Sequence, residues 1–182
     1  MREQILAVAG ELFHKRGYAS VSLDDVIQAR RISRAELQRH FSTKADLGVA
    51  WLARLARGMR MMQENLMERP GDPSQRLRKY FMSMANWLET HGYRSCQFAN
   101  TAACINAEEE PELAEAIDQF KRAQRKFFIE LVGTLVPESR ARRVGTAVYL
   151  LYSGAMTEAQ NLKATWPFED ALAAAEKLCE ID

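Results

Sequence analysis

The sequence has little of what builds covalently held or metal-held folds. Only 3 cysteines occur in 182 residues. Cys96, Cys104 and Cys179 are odd in number and unrelated in spacing, which excludes a disulfide framework and supplies no zinc or redox pair. Reduced thiols in a cytoplasmic protein are therefore expected. Proline is nearly as scarce, at 5 residues, so breaks in regular structure are few and easily placed. No apolar run is long enough to cross a bilayer, and helix-period polar residues from Arg2 and Glu3 onward argue against a signal peptide. An excess of one charge is missing too. Lys and Arg total 25 against 24 Asp and Glu, a net charge of +1, so any nucleic-acid footprint has to be local. Phosphate loops, metal-spaced clusters and nucleophile motifs do not occur. His14, His40 and His91 fall on separate helices with no carboxylate or cysteine pattern around them, and His14 is expected at the surface. No enzymatic activity, cofactor or metal is expected.

What the chain does have is helical periodicity almost throughout, with 47 % hydrophobic residues to form a core. Ile5, Ala9, Leu12 and Phe13 mark a first helix that Gly17 ends. Three cap signals then follow in quick succession. Ser22 with Asp25, Ser33 with Glu36 and Thr43 with Asp46 each pair an N-cap hydroxyl with an acid three residues on. Val21 with Val26, and Ile32 with Leu37, add hydrophobic staples to the first two. These signals place short helices at 23–29 and 34–41 and a longer one from 44 to about 67. Pro70-Gly71-Asp72-Pro73 breaks the chain. Further helices are expected to about Thr90, over 97–106, from Pro111 to Pro137, over 138–163 and after Trp166-Pro167. The fold class is all-α.

Two short helices joined by a tight turn form a helix-turn-helix. In such a unit one face of the second helix is anchored while the other stays open to the DNA major groove. Leu37 and Phe41 point together as the anchor. Ala35 and Arg39 lie opposite, flanked by Gln38 and Glu36, with Arg34 at the amino end. Arg suits guanine, Gln adenine, Ala a thymine methyl and Glu the amino group of cytosine. A helix of about two turns needs its strong N-cap because it cannot hold together alone. Lys44 opens the next helix, where a cation beside unpaired N–H groups suits phosphate. Ser22, Ser33, Thr43 and His40 add hydrogen-bonding groups. Arg30, Arg31, Arg34, Arg39, His40 and Lys44 supply the local basic patch. Basic surface helices are common, but the triple cap and the two-point anchor set this one apart.

Residues 5 to 47 resemble the TetR (AcrR-like) family of bacterial transcriptional regulators. The resemblance rests on "ILAVAGELFHKRGYASVSLDDVIQAR", "ISRAELQRHF" and "STKADL". "CQFANTAACINAEEEPEL" and the long helix after it also look like the carboxyl-terminal domain of one branch of that family. The resemblance implies an N-terminal three-helix DNA-binding domain (1–47) and a C-terminal helical ligand-binding and dimerisation domain (48–182). It implies a homodimer on a palindromic double-stranded operator, with repression relieved by a small-molecule effector. Carried over position by position, base contacts fall to Arg34, Ala35, Gln38 and Arg39. Phosphate contacts fall to Ser22, His40, Thr43 and Lys44. Three positions depart from the family pattern. Arg31 stands at a turn position usually held by glycine, Glu36 where a small hydroxyl residue is usual, and Gln38 where an aromatic is usual.

A cavity between the later helices is implied by the same resemblance, and Met with aromatic residues suits apolar or aromatic ligands. Trp87, Phe98, Cys104, Phe120 and Tyr152 are the expected lining, with no buried acid or base identifiable as a polar anchor. Gly145, Gly154, Ala155 and Ala159 are small residues on the penultimate helix, expected at a two-fold four-helix interface. The 44–67 helix belongs to both halves and is the natural lever between ligand and DNA. Two other readings stay open at this point. One is a helical adaptor that keeps the scaffold without reading sequence. The other is a redox sensor acting through Cys96 or Cys104.

Overall fold

Every regular element in the computed structural model is an α-helix, and the described residues run from 1 to 180. Nine helices occur among them. They are α1 (Arg2–Arg16), α2 (Leu23–Arg30), α3 (Arg34–Gln38), α4 (Lys44–Glu68), α5 (Pro73–Thr90), α6 (Gln97–Ala102), α7 (Pro111–Gly133), α8 (Glu138–Leu162) and α9 (Trp166–Cys179). No described helix is long and apolar enough to cross a membrane.

The chain forms two compact units that do not follow chain order. One is Met1–Met59 with Gln97–Phe120; the other is Arg60–Cys96 with Lys121–Asp182, described as far as Glu180. The divisions therefore fall inside α4 and α7.

In the first unit, Ile5, Leu6, Ala9 and Phe13 of α1 are buried with Val26, Leu37, Phe41, Leu47 and Trp51. Phe13 lies between aromatic neighbours, 5.2 Å from the Tyr18 ring and 5.0 Å from that of Trp51. Gly17 ends α1 at φ 83°, as expected of that glycine. Residues 97–120 join this unit because α7 begins against it: a Cβ on Gly48 would lie 2.7 Å from the Tyr18 ring and 3.1 Å from Leu113. The helix expected over 97–106 stops at Ala102. There the Cys104 N–H turns back to Thr101 (3.0 Å), and the Asn106 side chain accepts from the Glu108 N–H (3.1 Å).

The second unit buries Leu77, Tyr80, Phe81 and Leu88 of α5 with Phe128, Val148, Tyr152 and Phe168. Asp72 caps α5, accepting from the Ser74 N–H, with Pro73 in the first turn. Arg140 near the start of α8 donates to Glu180 (2.8 Å) and to the Leu178 carbonyl (3.3 Å) beyond and at the end of α9. The two helices are thus antiparallel. Arg78 of α5 pairs with Glu176 of α9.

The small residues of α8 do not share one environment. Gly145 is buried, and a Cβ there would lie 2.6 Å from Ile129 Cα and 2.9 Å from the Phe128 carbonyl oxygen. Its lack of a side chain lets α8 approach the backbone of α7 within the subunit. Ala155 and Ala159 are likewise buried within the chain. Gly154 alone of the four is exposed, with nothing within 4 Å of its Cβ position. The outward side of this region instead carries Leu150, 62 % exposed, with Leu162, Trp166 and Leu178 also exposed.

Candidate nucleic-acid interface

Both helices of the helix-turn-helix are fixed at their starts by reciprocal caps. Ser22 accepts from the Asp25 N–H (3.1 Å) while the Asp25 carboxylate accepts from the Ser22 N–H (2.7 Å). Ser33 and Glu36 repeat the arrangement at 3.2 and 2.9 Å. Glu36, the unusual acid of the second helix, is therefore engaged by the cap, which satisfies end groups that a five-residue helix cannot. These bonds hold the Glu36 carboxyl below its usual pKa, the Ser33 backbone N–H contributing most. Thr43 and Asp46 cap α4 in the same way, at 3.0 and 2.9 Å.

Arg31 closes α2 at φ 57°, ψ 49°, a left-handed conformation that glycine adopts without penalty. The turn geometry is kept despite the unusual residue.

Regular helix in α3 ends at Gln38, three residues short of the expected Phe41. The chain nevertheless continues the turn. The Arg39 N–H bonds Ala35 (3.2 Å), and those of His40 and Phe41 both bond Leu37 (2.9 Å). Leu37 and Phe41 are buried as anchors, while Arg34, Ala35, Gln38, Arg39 and His40 are all exposed. Arg34 is tethered to α2 by an ion pair with Asp24 at 2.5 Å.

Of the expected phosphate groups, Ser22, Thr43 and Lys44 are engaged within the unit. The Ser22 hydroxyl donates to Asp25 (2.6 Å), and the Thr43 hydroxyl accepts from Asp46. Lys44 turns inward, its ammonium 3.2 Å from the Ala19 carbonyl oxygen and 4.4 Å from the centre of the Tyr18 ring. Burial lowers the Lys44 pKa, with the attraction of Glu110 opposing. Tyr18 in turn donates to Glu110 at 2.5 Å, and burial together with that bond raises its pKa. The sequence offered no reason to connect Tyr18, Lys44 and Glu110: "RGY" reads as a helix stop and Glu110 as one of three glutamates in a row. His14, expected at the surface, is half-buried with its Nδ1 2.9 Å from Gln97 Nε2.

The expected ligand-pocket residues belong to both units. Phe98 and Phe120 stack at 3.5 Å in the first unit. Cys104 belongs to that unit too, exposed and donating to the Thr101 carbonyl (3.2 Å). Trp87 and Tyr152 lie in the second, Trp87 stacked on His91 at 4.8 Å and Tyr152 buried. The second unit also holds a polar network that helical periodicity could not reveal. Buried Gln63 donates to the Tyr80 hydroxyl (3.0 Å) and to Gln124 (2.9 Å). Tyr152 hydrogen bonds Tyr80, and burial pushes the Tyr80 pKa up to about 12. Close by, Lys121 donates to the Cys96 sulfur at 3.6 Å.

A capped helix-turn-helix with an open second helix is the reading head of a DNA-binding transcriptional regulator. The family description "Bacterial regulatory proteins, tetR family" matches residues 5–50, and "Transcriptional regulator LmrA/YxaF-like, C-terminal domain" matches residues 73–174. The chain belongs to the TetR family of bacterial transcriptional regulators, with an LmrA/YxaF-like C-terminal domain. This is a family of regulators, not of enzymes. The HTH-type transcriptional repressor NemR of Escherichia coli K12 is 23 % identical over 94 % of this chain and 90 % of its own length. The HTH-type transcriptional activator FasR of Mycolicibacterium smegmatis is 30 % identical over 51 % of this chain and 43 % of its own. A TetR-family regulator from Streptomyces coelicolor superposes with a TM-score of 0.85, at 24 % identity, over 98 % of this chain and 94 % of that one.

Proposed function

We propose that this regulator acts in the bacterial cytoplasm as a homodimer that represses from a palindromic operator and is released by a small-molecule effector. The observation that carries the reading is the exposed face of α3: Arg34, Ala35, Gln38 and Arg39 stand outward on a helix anchored by buried Leu37 and Phe41. Arg39 and Gln38 provide the bidentate groups for guanine and adenine, and Arg34 and Ala35 complete the base-reading set. His40, Lys44 and the capped first turns of α2 and α4, with Ser22 and Thr43, face phosphate. The exposed Leu150, Gly154, Leu162 and Trp166 support a two-fold interface through α8 and α9. A two-fold reader needs that interface to set its recognition helices about one DNA turn apart. The boundary for DNA reading falls near residue 47, and the remainder serves ligand and partner. Trp87 and Tyr152 of the second unit remain proposed effector contacts, and the effector works by binding two dimer conformations with different affinity.

Selection of bound sequences from a random duplex pool tests this reading. A palindromic consensus supports it. Binding without any preferred sequence would favour a scaffold that only holds phosphate, as the unusual Arg31, Glu36 and Gln38 would allow.

A second reading has one observation in its favour, the contact of Lys121 with Cys96. It makes the effector an oxidant acting on that thiol. Cys96→Ser and Cys104→Ser variants that keep the full response of DNA binding to peroxide would sink it.

A further inference from the structure

Lys44 is a DNA-phosphate residue by position, yet its half-buried side chain is folded back onto the first unit. Three groups hold it there. The Ala19 carbonyl oxygen accepts its hydrogen bond at 3.2 Å, the face of the Tyr18 ring lies 4.4 Å away, and Glu110 attracts it. The Tyr18 hydroxyl donates to Glu110 at 2.5 Å, which fixes the carboxylate beside this junction. Gly48, one turn after Lys44 on α4, leaves the space that the ring fills, since a Cβ there would lie 2.7 Å from it. Glu110 immediately precedes α7, so a residue far along the chain attracts a cation of the reading head.

We infer that Glu110 is a positioning residue that withholds Lys44 from DNA. A phosphate can take the ammonium only if it leaves the Ala19 carbonyl, the ring face and the field of Glu110 together. The gain from the phosphate is reduced by what is given up. Any shift of the 103–110 connection that moves the carboxylate away weakens the hold and makes Lys44 available. The contact of Gln97 with His14 ties the start of α6 to α1, so the stretch from Gln97 to Glu110 is held to the reading head at both ends. Glu110 is thereby a point at which a change in α6 or α7 is converted into a change in phosphate affinity. The inference rests on the phosphate role proposed for Lys44.

Glu110→Gln isolates the charge, because glutamine still offers Tyr18 an oxygen acceptor. The experiment is a fluorescence-anisotropy titration of a labelled random-sequence duplex at several salt concentrations. It uses the full chain, Glu110→Gln, Lys44→Gln and the double variant, with denaturation midpoints to establish that each is folded. One added phosphate contact steepens the log–log salt slope by about 0.9 and tightens binding roughly fivefold at physiological salt. The expected result is that change, per subunit, in Glu110→Gln and its disappearance when Lys44 is also replaced. Tightening that persists without Lys44 would mean that Glu110 merely repels DNA, and would overturn the inference. Unchanged or weakened binding at an unaltered slope would overturn it as well, by making Glu110 structural or silent. Failure of the full chain to bind duplex DNA in a salt-dependent way would instead defeat the proposed function itself.

Discussion

Ser33 and Glu36 hold each other across the first turn of α3, the serine oxygen accepting from the glutamate N–H at 3.2 Å and the carboxylate accepting from the serine N–H at 2.9 Å. A helix of five residues has no interior hydrogen bonds to spare, so this pair decides whether the DNA-facing residues are presented at all. Ser33→Ala is expected to destabilise the protein by about 1 kcal/mol and to weaken specific DNA binding. Denaturant midpoints and anisotropy on one duplex measure both. No change in either would show that α3 is held by Leu37 and Phe41 alone.

Gly145 and Leu150 allow packing within the subunit and the proposed packing between subunits to be tested apart. Gly145→Ala forces a methyl group against the backbone of α7, which cannot step aside as a side-chain tip can. A loss of roughly 1–3 kcal/mol is expected in the denaturant midpoint. Leu150→Glu places a charge on a residue already 62 % exposed within the chain and should leave the fold unchanged while converting a dimer into a monomer. Sedimentation velocity reads the second outcome. A Leu150→Glu protein that still sediments as a dimer would move the interface elsewhere.

The caps, the anchor residues and the helix-turn-helix were legible in the sequence because they are local. A serine, an acid three residues on and an apolar pair are a pattern that a reader can find along a chain. The Arg31 turn was legible only through the family resemblance, which marks that position as one usually held by glycine. The direction of the Lys44 side chain was not, because it lies over the Tyr18 ring, which Glu110 holds from ninety-two positions away in sequence. Nor could spacing tell that Gly145 serves α7 while Gly154 faces outward: both are small residues on one helix, and only the neighbouring backbone distinguishes them. Gln63 and Gln124 escaped notice because glutamines on amphipathic helices read as surface.

That glutamine network has a measurable consequence. Gln124→Leu removes the carbonyl that accepts from Gln63 and leaves a buried amide N–H short of a partner. The expected destabilisation is about 1–3 kcal/mol. Replacing Gln63 by Leu as well should recover part of it, since an apolar pair leaves fewer groups unsatisfied. A double variant no more stable than Gln124→Leu alone would contradict this, as read from urea midpoints.

The buried tyrosines set a limit at high pH. The Tyr80 pKa is pushed up to about 12 by burial, so the folded state keeps a proton that the unfolded chain releases near pH 10. Its contribution is fully present below pH 10 and is lost as pH rises towards 12. The urea midpoint should therefore fall across that interval. Tyr80→Phe should fall less steeply, with Tyr152 and Tyr18, both also raised, sustaining the remainder. A midpoint that stays level from pH 9 to 11 would contradict the assignment.

The most direct test of sequence reading by α3 is an anisotropy titration of the selected operator against scrambled duplex, at physiological salt, for the wild-type chain and Arg39→Ala. The account predicts that the wild type prefers its operator by a thousandfold or more, on the order of 4 kcal/mol, and that Arg39→Ala loses at least about tenfold of that preference while binding scrambled DNA nearly as before. An Arg39→Ala protein with the full preference of the wild type would contradict the assignment of the reading face. A wild type that binds both duplexes alike would contradict sequence-specific regulation altogether.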